Sequence, residues 1–207
     1  MGTRNLTAVM LDGSYKVAQY GQWDGYPEGV GAGVLRFLRE QMNREKFIEN
    51  LQKCVDFTPE MSSDIERSSV ETGVPWRKSH PWLSRDVAEE VLLMIQSSDG
   101  GLALKRDINF AGESLMCEYA YVIDFDKNTF EAFEGFNKVP LTKDERFAGL
   151  PVSDREFDGY GGEKPYRYYQ VKLVKSWPLD NLPTEDELIK AFAKSEDEEG
   201  HGLGEAA

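Results

Sequence analysis

The sequence predicts an α+β fold, with a mainly antiparallel sheet and helices packed on it. Three observations carry that expectation. An Asp-Gly pair joins two strand-like segments near the start, and a second alternating pair surrounds Asp126-Lys127-Asn128. Strand-like and helix-like segments also come in blocks instead of alternating, which argues against a parallel βαβ sheet. In 207 residues, 40 % hydrophobic and 12 % aromatic content is enough to close a core without disulfides or metals.

Taken in order, Asn5 to Met10 and Tyr15 to Tyr20 flank Asp12-Gly13, a pair that supplies the positive φ of a tight hairpin turn. A Gly-rich loop is expected over Gly21 to Gly33. Val34, Leu35, Leu38 and Met42 then recur at helical spacing, and Phe47, Ile48 and Leu51 resume it after Asn43, a break and new N-cap. Residues 56–83 show no period, and Pro59, Pro75 and Pro81 argue for an irregular insertion. Ser84 reads as the N-cap of a helix with a Val87, Ala88, Val91, Leu92, Ile95 stripe, ended by Ser98-Asp99-Gly100-Gly101. Tyr119, Tyr121, Ile123 and Phe125 alternate, the strand returns over Phe130 to Phe136, and a further strand is expected from Tyr166 to Lys175. Thr184-Glu185-Asp186-Glu187 is a capping box that opens the last helix. One domain over 1–194 and a disordered acidic tail over 195–207 follow. The order of elements also fits the layering of N-terminal-nucleophile hydrolases.

Net charge is −13, and residues 184–207 contribute −6 of it. A body of that balance repels phosphate backbones, so no nucleic-acid partner is expected. Two cysteines, Cys54 and Cys117, lie outside any CxxC or Cys/His spacing, so neither a metal nor another cofactor is expected. No run of eighteen apolar residues is present, and the opening residues lack the apolar core of a secretory signal; a myristoylation motif would need Ser or Thr where Leu6 stands. The expectation is a cytoplasmic protein without a membrane partner, its oligomeric state open.

The segment that stands out is Gln22-Trp23-Asp24-Gly25-Tyr26-Pro27-Glu28-Gly29-Val30-Gly31-Ala32-Gly33. Glycines let backbone approach a ligand, Trp23 and Tyr26 can stack on a planar or sugar-like group, Gln22 and Asp24 can hydrogen-bond, and the following helix N-terminus suits an anion. The ligand-binding expectation therefore rests on Gln22, Trp23, Asp24, Gly25, Tyr26, Gly29 and Gly31. The spacing is neither a Rossmann fingerprint nor a P-loop. The competing reading is a pair of turns with Trp23 and Tyr26 plugging the sheet edge. Phe157-Asp158-Gly159-Tyr160-Gly161-Gly162 partly echoes the loop.

The opening Gly2-Thr3-Arg4-Asn5-Leu6-Thr7, the stretch from Tyr15 to Pro27, and Glu118 to Phe125 with Glu134 to Lys138 resemble a family of uncharacterised microbial, phage and fungal proteins with a Thr-Arg start and an Asp-Gly-Tyr-Pro loop. The resemblance implies a shared fold and brings no activity with it.

Two other functions compete. An amide-bond hydrolase would use Thr3 as nucleophile after processing, with Arg4 steering a carboxylate and Asn5 or Asn109 in an oxyanion hole. An interaction module would use the acidic surface, or the basic-aromatic island Trp76-Arg77-Lys78-Ser79-His80-Pro81-Trp82. Asp124 and Asp126 read as turn formers, and Cys117 as a small core residue.

Overall fold

The computed structural model describes residues 2–158 and 164–199. Strands β1 (Asn5–Leu11) and β2 (Ser14–Gly21) form the expected hairpin, with Asp12 at φ 53° and Gly13 at φ 69° in its turn. A continuous helical run follows, with Pro27–Gly31 and Phe37–Gln41 as π-type turns at either end of α1 (Ala32–Arg36). Helix α2 (Arg44–Lys53) starts at the expected N-cap, where Asn43 Oδ1 accepts from Lys46 N at 3.1 Å.

After β3 (Val55–Asp56) the structure departs from the sequence expectation. Residues 56–83 are not irregular: they contain α3 (Pro59–Thr72), α4 (Trp76–Ser79) and a 3₁₀ turn, Pro81–Leu83. Pro59 occupies the first helical turn behind the N-cap Thr58, where a missing N–H costs nothing, and Gly73 (φ 69°) ends the helix. No α3 residue is fully buried, and its inward side carries only the half-buried Met61 and Ile65 among serines, too short an apolar stripe for a periodicity reading to find. Ser84 is not the N-cap of the next helix. Its hydroxyl accepts from Asp86 N in a local turn, and α5 (Glu90–Ser97) begins six residues later.

Next come β4 (Ala103–Leu104), a 3₁₀ turn at Ile108–Gly112, β5 (Tyr119–Asp124) and β6 (Thr129–Glu134). Strand β7 (Lys172–Pro178) lies later than expected, because Gln170 and Val171 are diverted to anchor the preceding coil. Gln170 Nε2 donates to Ala148 O and Leu150 O, and Val171 N donates to Ala111 O. The capping box at Thr184 is present in both directions and opens α6 (Glu185–Glu199). The helix thus continues through Ser195 to Glu199, where a tail was expected, and 200–207 lie outside the described residues.

The sheet order is β2-β1-β5-β6-β7, with every pairing antiparallel except the central β1–β5 pair. Both faces are covered. Helices pack on one, with Leu35, Phe47 and Leu92 against Val9, Val17 and Ile123; segments 108–112, 135–158 and 164–171 cover the other, with Phe147 among Leu6, Ala8, Val122 and Phe133. The second sheet is only the β3–β4 pair, so the stacked sheets of an N-terminal-nucleophile layering are not formed among the described residues.

The coil is nailed to the sheet by Arg146, which bonds the carboxylates of Asp124 and Glu131 and reaches Tyr15 Oη at 3.5 Å. Asp124 also accepts from Asp126 N and Lys127 N, and Asp126 accepts from Asp12 N and Gly13 N, which joins the two hairpin turns. Burial opposes the Arg146 charge, but Glu131, Tyr15 and Asp124 outweigh it and hold the guanidinium protonated.

Candidate functional site

The loop between β2 and the first π-type turn is shorter than its glycines suggest, running only from Gln22 to Tyr26. Its backbone is fastened on every side. Gln22 N donates to Arg85 O (2.8 Å), Gly25 N to Thr3 O (3.0 Å), and Val30 N to Asp24 O (2.9 Å). Asn5 Nδ2 donates to Trp23 O (3.0 Å), and the fully buried Tyr121 hydroxyl donates to Gly25 O (2.9 Å). The polar residues of β1 and β5 at this end of the sheet thus serve the loop. Asn5 Oδ1 and Thr7 Oγ1 are the buried exceptions, without a hydrogen-bond partner among the described residues.

The glycines are explained by this closure. A Cβ at Gly25 would lie 2.9 Å from Thr3 O, one at Gly31 would lie 3.0 Å from the Tyr121 ring, and one at Gly29 would strike Asp24 O. The same bonding takes most of the donors that the expected anion site at the helix N-terminus would use. Pro27 has no N–H, Gly29 N and Gly31 N donate to Tyr26 O, and Val30 N is taken by Asp24.

Outward from this fixed backbone stand Trp23 and Tyr26, each 48 % exposed, and the exposed carboxylates of Asp24 and Glu28. Trp23 Nε1 donates to Asp86 Oδ1 (3.0 Å), which holds the indole and, with Ser84, keeps the Asp86 carboxyl below its usual range. Tyr26 leans on Tyr119, with centroids 6.2 Å apart. The two aromatics therefore diverge and do not form one clamp. Gln22 turns away as well, accepting from Tyr20 Oη at 2.6 Å. Asp24 holds φ 54°, a conformation that Asp tolerates better than most residues.

Glu89 is the residue that sequence reasoning missed. It is half-buried against Gly33, where any Cβ would collide with its carboxyl group. Burial, then Glu90, with Asp24 adding, push its pKa up to about 7, against the opposing charge of Arg36. Nothing in the sequence separates Glu89 from Glu90; only the packing of α5 against α1 does.

The Thr3 alternative fares differently. Thr3 is buried at 5 % exposure with its carbonyl bonded to the loop, and in this chain its nitrogen is a peptide amide, not an amine. Arg4 is paired with Glu118 at 3.1 Å. Asn5 lies on the helix-covered face of β1, whereas Asn109 lines a cleft on the opposite face, so the two do not converge on Thr3.

Elsewhere, Trp82 anchors the basic-aromatic island through Nε1 to Ala103 O (3.0 Å), and His80 packs its ring on Trp82 with Nδ1 2.9 Å from Ser79 Oγ. Cys117 is fully buried, with its thiol pushed far above the usual range, first by burial. Within the loop echo, Phe157 and Asp158 are described, and 159–163 lie outside the described residues. Among the described residues, no group of three or more His, Cys, Asp or Glu is placed to hold a metal ion, and no helix is long and apolar enough to cross a membrane.

Among the described residues, two clefts lie away from residues 22–33. One of about 470 Å³ is bounded by Tyr20, Arg106, Asp107, Asn109, Phe110 and Glu113. The other, of about 130 Å³, is bounded by Glu113, Leu115, Met116, Ser153, Arg155, Phe157 and Tyr168.

No family model, no curated protein and no solved structure matches the chain. The resemblance carried by its opening segments therefore supplies no family assignment.

Proposed function

We propose that this protein is a binding module whose 22–28 segment recognises a cationic group, an ammonium or a guanidinium. The observation that carries the reading is the contrast between backbone and side chains. Five hydrogen bonds fix residues 22–25, yet Trp23, Asp24, Tyr26 and Glu28 remain outside the core. Two half-exposed aromatic side chains held in place are available for contact with a partner. Their neighbours Asp24, Glu28, Asp86 and Glu89 are acidic, with Arg36, Arg77 and Arg85 as the nearby cations. Aromatic faces beside carboxylates attract a cation through the ring quadrupole and through charge. Of the residues anticipated from the sequence, this reading keeps Trp23, Asp24 and Tyr26 as ligand contacts and adds Glu28, with the sign of the ligand reversed from anion to cation.

The test is a titration of arginine ethyl ester, at constant ionic strength, followed by amide shifts. A saturable response centred on residues 22–28, lost in Trp23→Ala and Asp24→Asn variants that unfold like wild type, supports the reading. A response identical in the variants, or an equal one to acetate, overturns it. Affinity is also expected to rise between about pH 6 and pH 8, as Glu89 ionises through about 7 and adds a charge.

A further inference from the structure

The two clefts share Glu113, so they meet at that residue. Backbone pairing explains the join. Ser114 N donates to Tyr169 O (3.1 Å) and Val171 N to Ala111 O (2.9 Å), which lays the 108–116 segment alongside 168–171. The walls alternate aromatic and polar groups. Tyr20 and Phe110 meet edge to face at 4.9 Å in the larger cleft, and Phe157 and Tyr168 meet edge to face at 5.4 Å in the smaller one.

The charge in this groove is balanced. Asp107 and Glu113 offer carboxylates, and Arg106 and Arg155 are the cations. Only Arg106 is taken up by neighbours; Arg155 is exposed and keeps its donors, so an anion reaching it would still face the carboxylates of Asp107 and Glu113. Arg106 is occupied by Asp56 (2.6 Å), Lys16 O (3.1 Å) and Cys54 O (3.5 Å), while Arg155 lies over the Phe157 ring at 4.7 Å. A cationic ligand would in turn meet Arg155. What remains is a groove with ring faces for apolar contact and with Asp107, Asn109 and Glu113 as hydrogen-bonding groups along it. The larger cleft alone falls within the volume range usual for small-ligand sites.

A pyranose ring has this complement: a face of C–H groups, a girdle of hydroxyls that both donate and accept, and no charge. We propose that the two clefts form one groove for a short, neutral, linear oligosaccharide. One sugar stacks at Tyr20 and Phe110, the next hydroxyls bond Asp107, Asn109 and Glu113, and a further sugar packs on Tyr168 and accepts from Arg155, since Arg155 and Tyr166 already cover the Phe157 ring. This site lies on the face of the sheet opposite the helices, and it borders the 22–28 segment where Tyr20 Oη donates to Gln22 Oε1.

The experiment is a titration of the full chain with cellotetraose, maltotetraose and tetra-N-acetylchitotetraose, followed by amide shifts and calorimetry. The expected result is saturable binding of at least one of them, with shifts in 106–116 and in 153–157 or at Tyr168, and weaker binding of the matching monosaccharide. Glu113→Gln replaces an exposed carboxylate and leaves the fold alone, and with Tyr168→Ala it should weaken affinity roughly tenfold each. The proposal is overturned by a lack of saturable binding of all three into the millimolar range. It is equally overturned if shifts are confined to residues 22–28, if both variants bind as wild type does, or if monosaccharide and tetrasaccharide bind equally well.

Discussion

Glu89→Gln should make the protein more stable, and only above a particular pH. The Glu89 carboxyl titrates near 7 in the folded chain against an ordinary value of 4.5, chiefly because packing against Gly33 and α1 removes water from it, and secondly because Glu90 is adjacent. A carboxyl whose folded pKa is raised favours the folded state while protonated. That contribution is complete below about 4.5 and is lost as pH rises through about 7. Two and a half pH units correspond to roughly 3 kcal/mol, and partial solvent contact reduces this to about 2 kcal/mol. Glutamine keeps the shape and one acceptor oxygen but never ionises. In urea unfolding, the variant should match wild type at about pH 4 and exceed it by about 2 kcal/mol at about pH 8, with unchanged m-values. A difference independent of pH, or a variant less stable at the higher pH, would refute the assignment of a desolvated Glu89.

Arg146→Met should destabilise by about 3–5 kcal/mol in urea, because it strands the carboxylates of Asp124 and Glu131 together in a buried site. The loss should shrink as pH is lowered, and a loss that stays constant with pH would show that packing, not charge, is what Arg146 supplies. Gly13→Ala should cost about 1 kcal/mol in thermal or urea unfolding, since no atom crowds that position and only φ 69° opposes a side chain. Cys54 and Cys117 are both buried with thiol pKa values raised first by burial, so iodoacetamide at neutral pH should label neither until urea unfolds the chain; rapid native labelling, read by mass, would contradict the packing described.

The fold class was legible because its decisive signals are local. Asp12-Gly13, Asn43, the Asp126 turn and the Thr184 box are each bonding patterns completed within a few residues. The parallel pairing of β1 with β5 was not legible, since both strands are apolar and their register is fixed by contacts across more than half of the chain. Helix α3 escaped because it fully buries no residue, and two half-buried apolar side chains, Met61 and Ile65, are too few to mark a period. At the loop, residue type identified the right segment but confused two uses of glycine. Gly25, Gly29 and Gly31 admit Thr3, Asp24 and Tyr121, not a ligand. Glu89 and the Asp124–Glu131–Arg146 cluster depend on distant partners, which spacing along one chain does not encode.

The central parallel pair also sets a timetable for biosynthesis. The β1–β2 hairpin can close as soon as its residues leave the ribosome, but the free edge of β1 has no partner until Tyr119 to Asp124 have been made. At about 5–20 residues per second, that wait is on the order of ten seconds. Throughout it, Asn-Leu-Thr-Ala-Val-Met-Leu presents an uncharged strand edge, the kind of segment that recruits other chains. Yield in the cell should therefore depend more on what shields this nascent edge than on the stability of the finished fold.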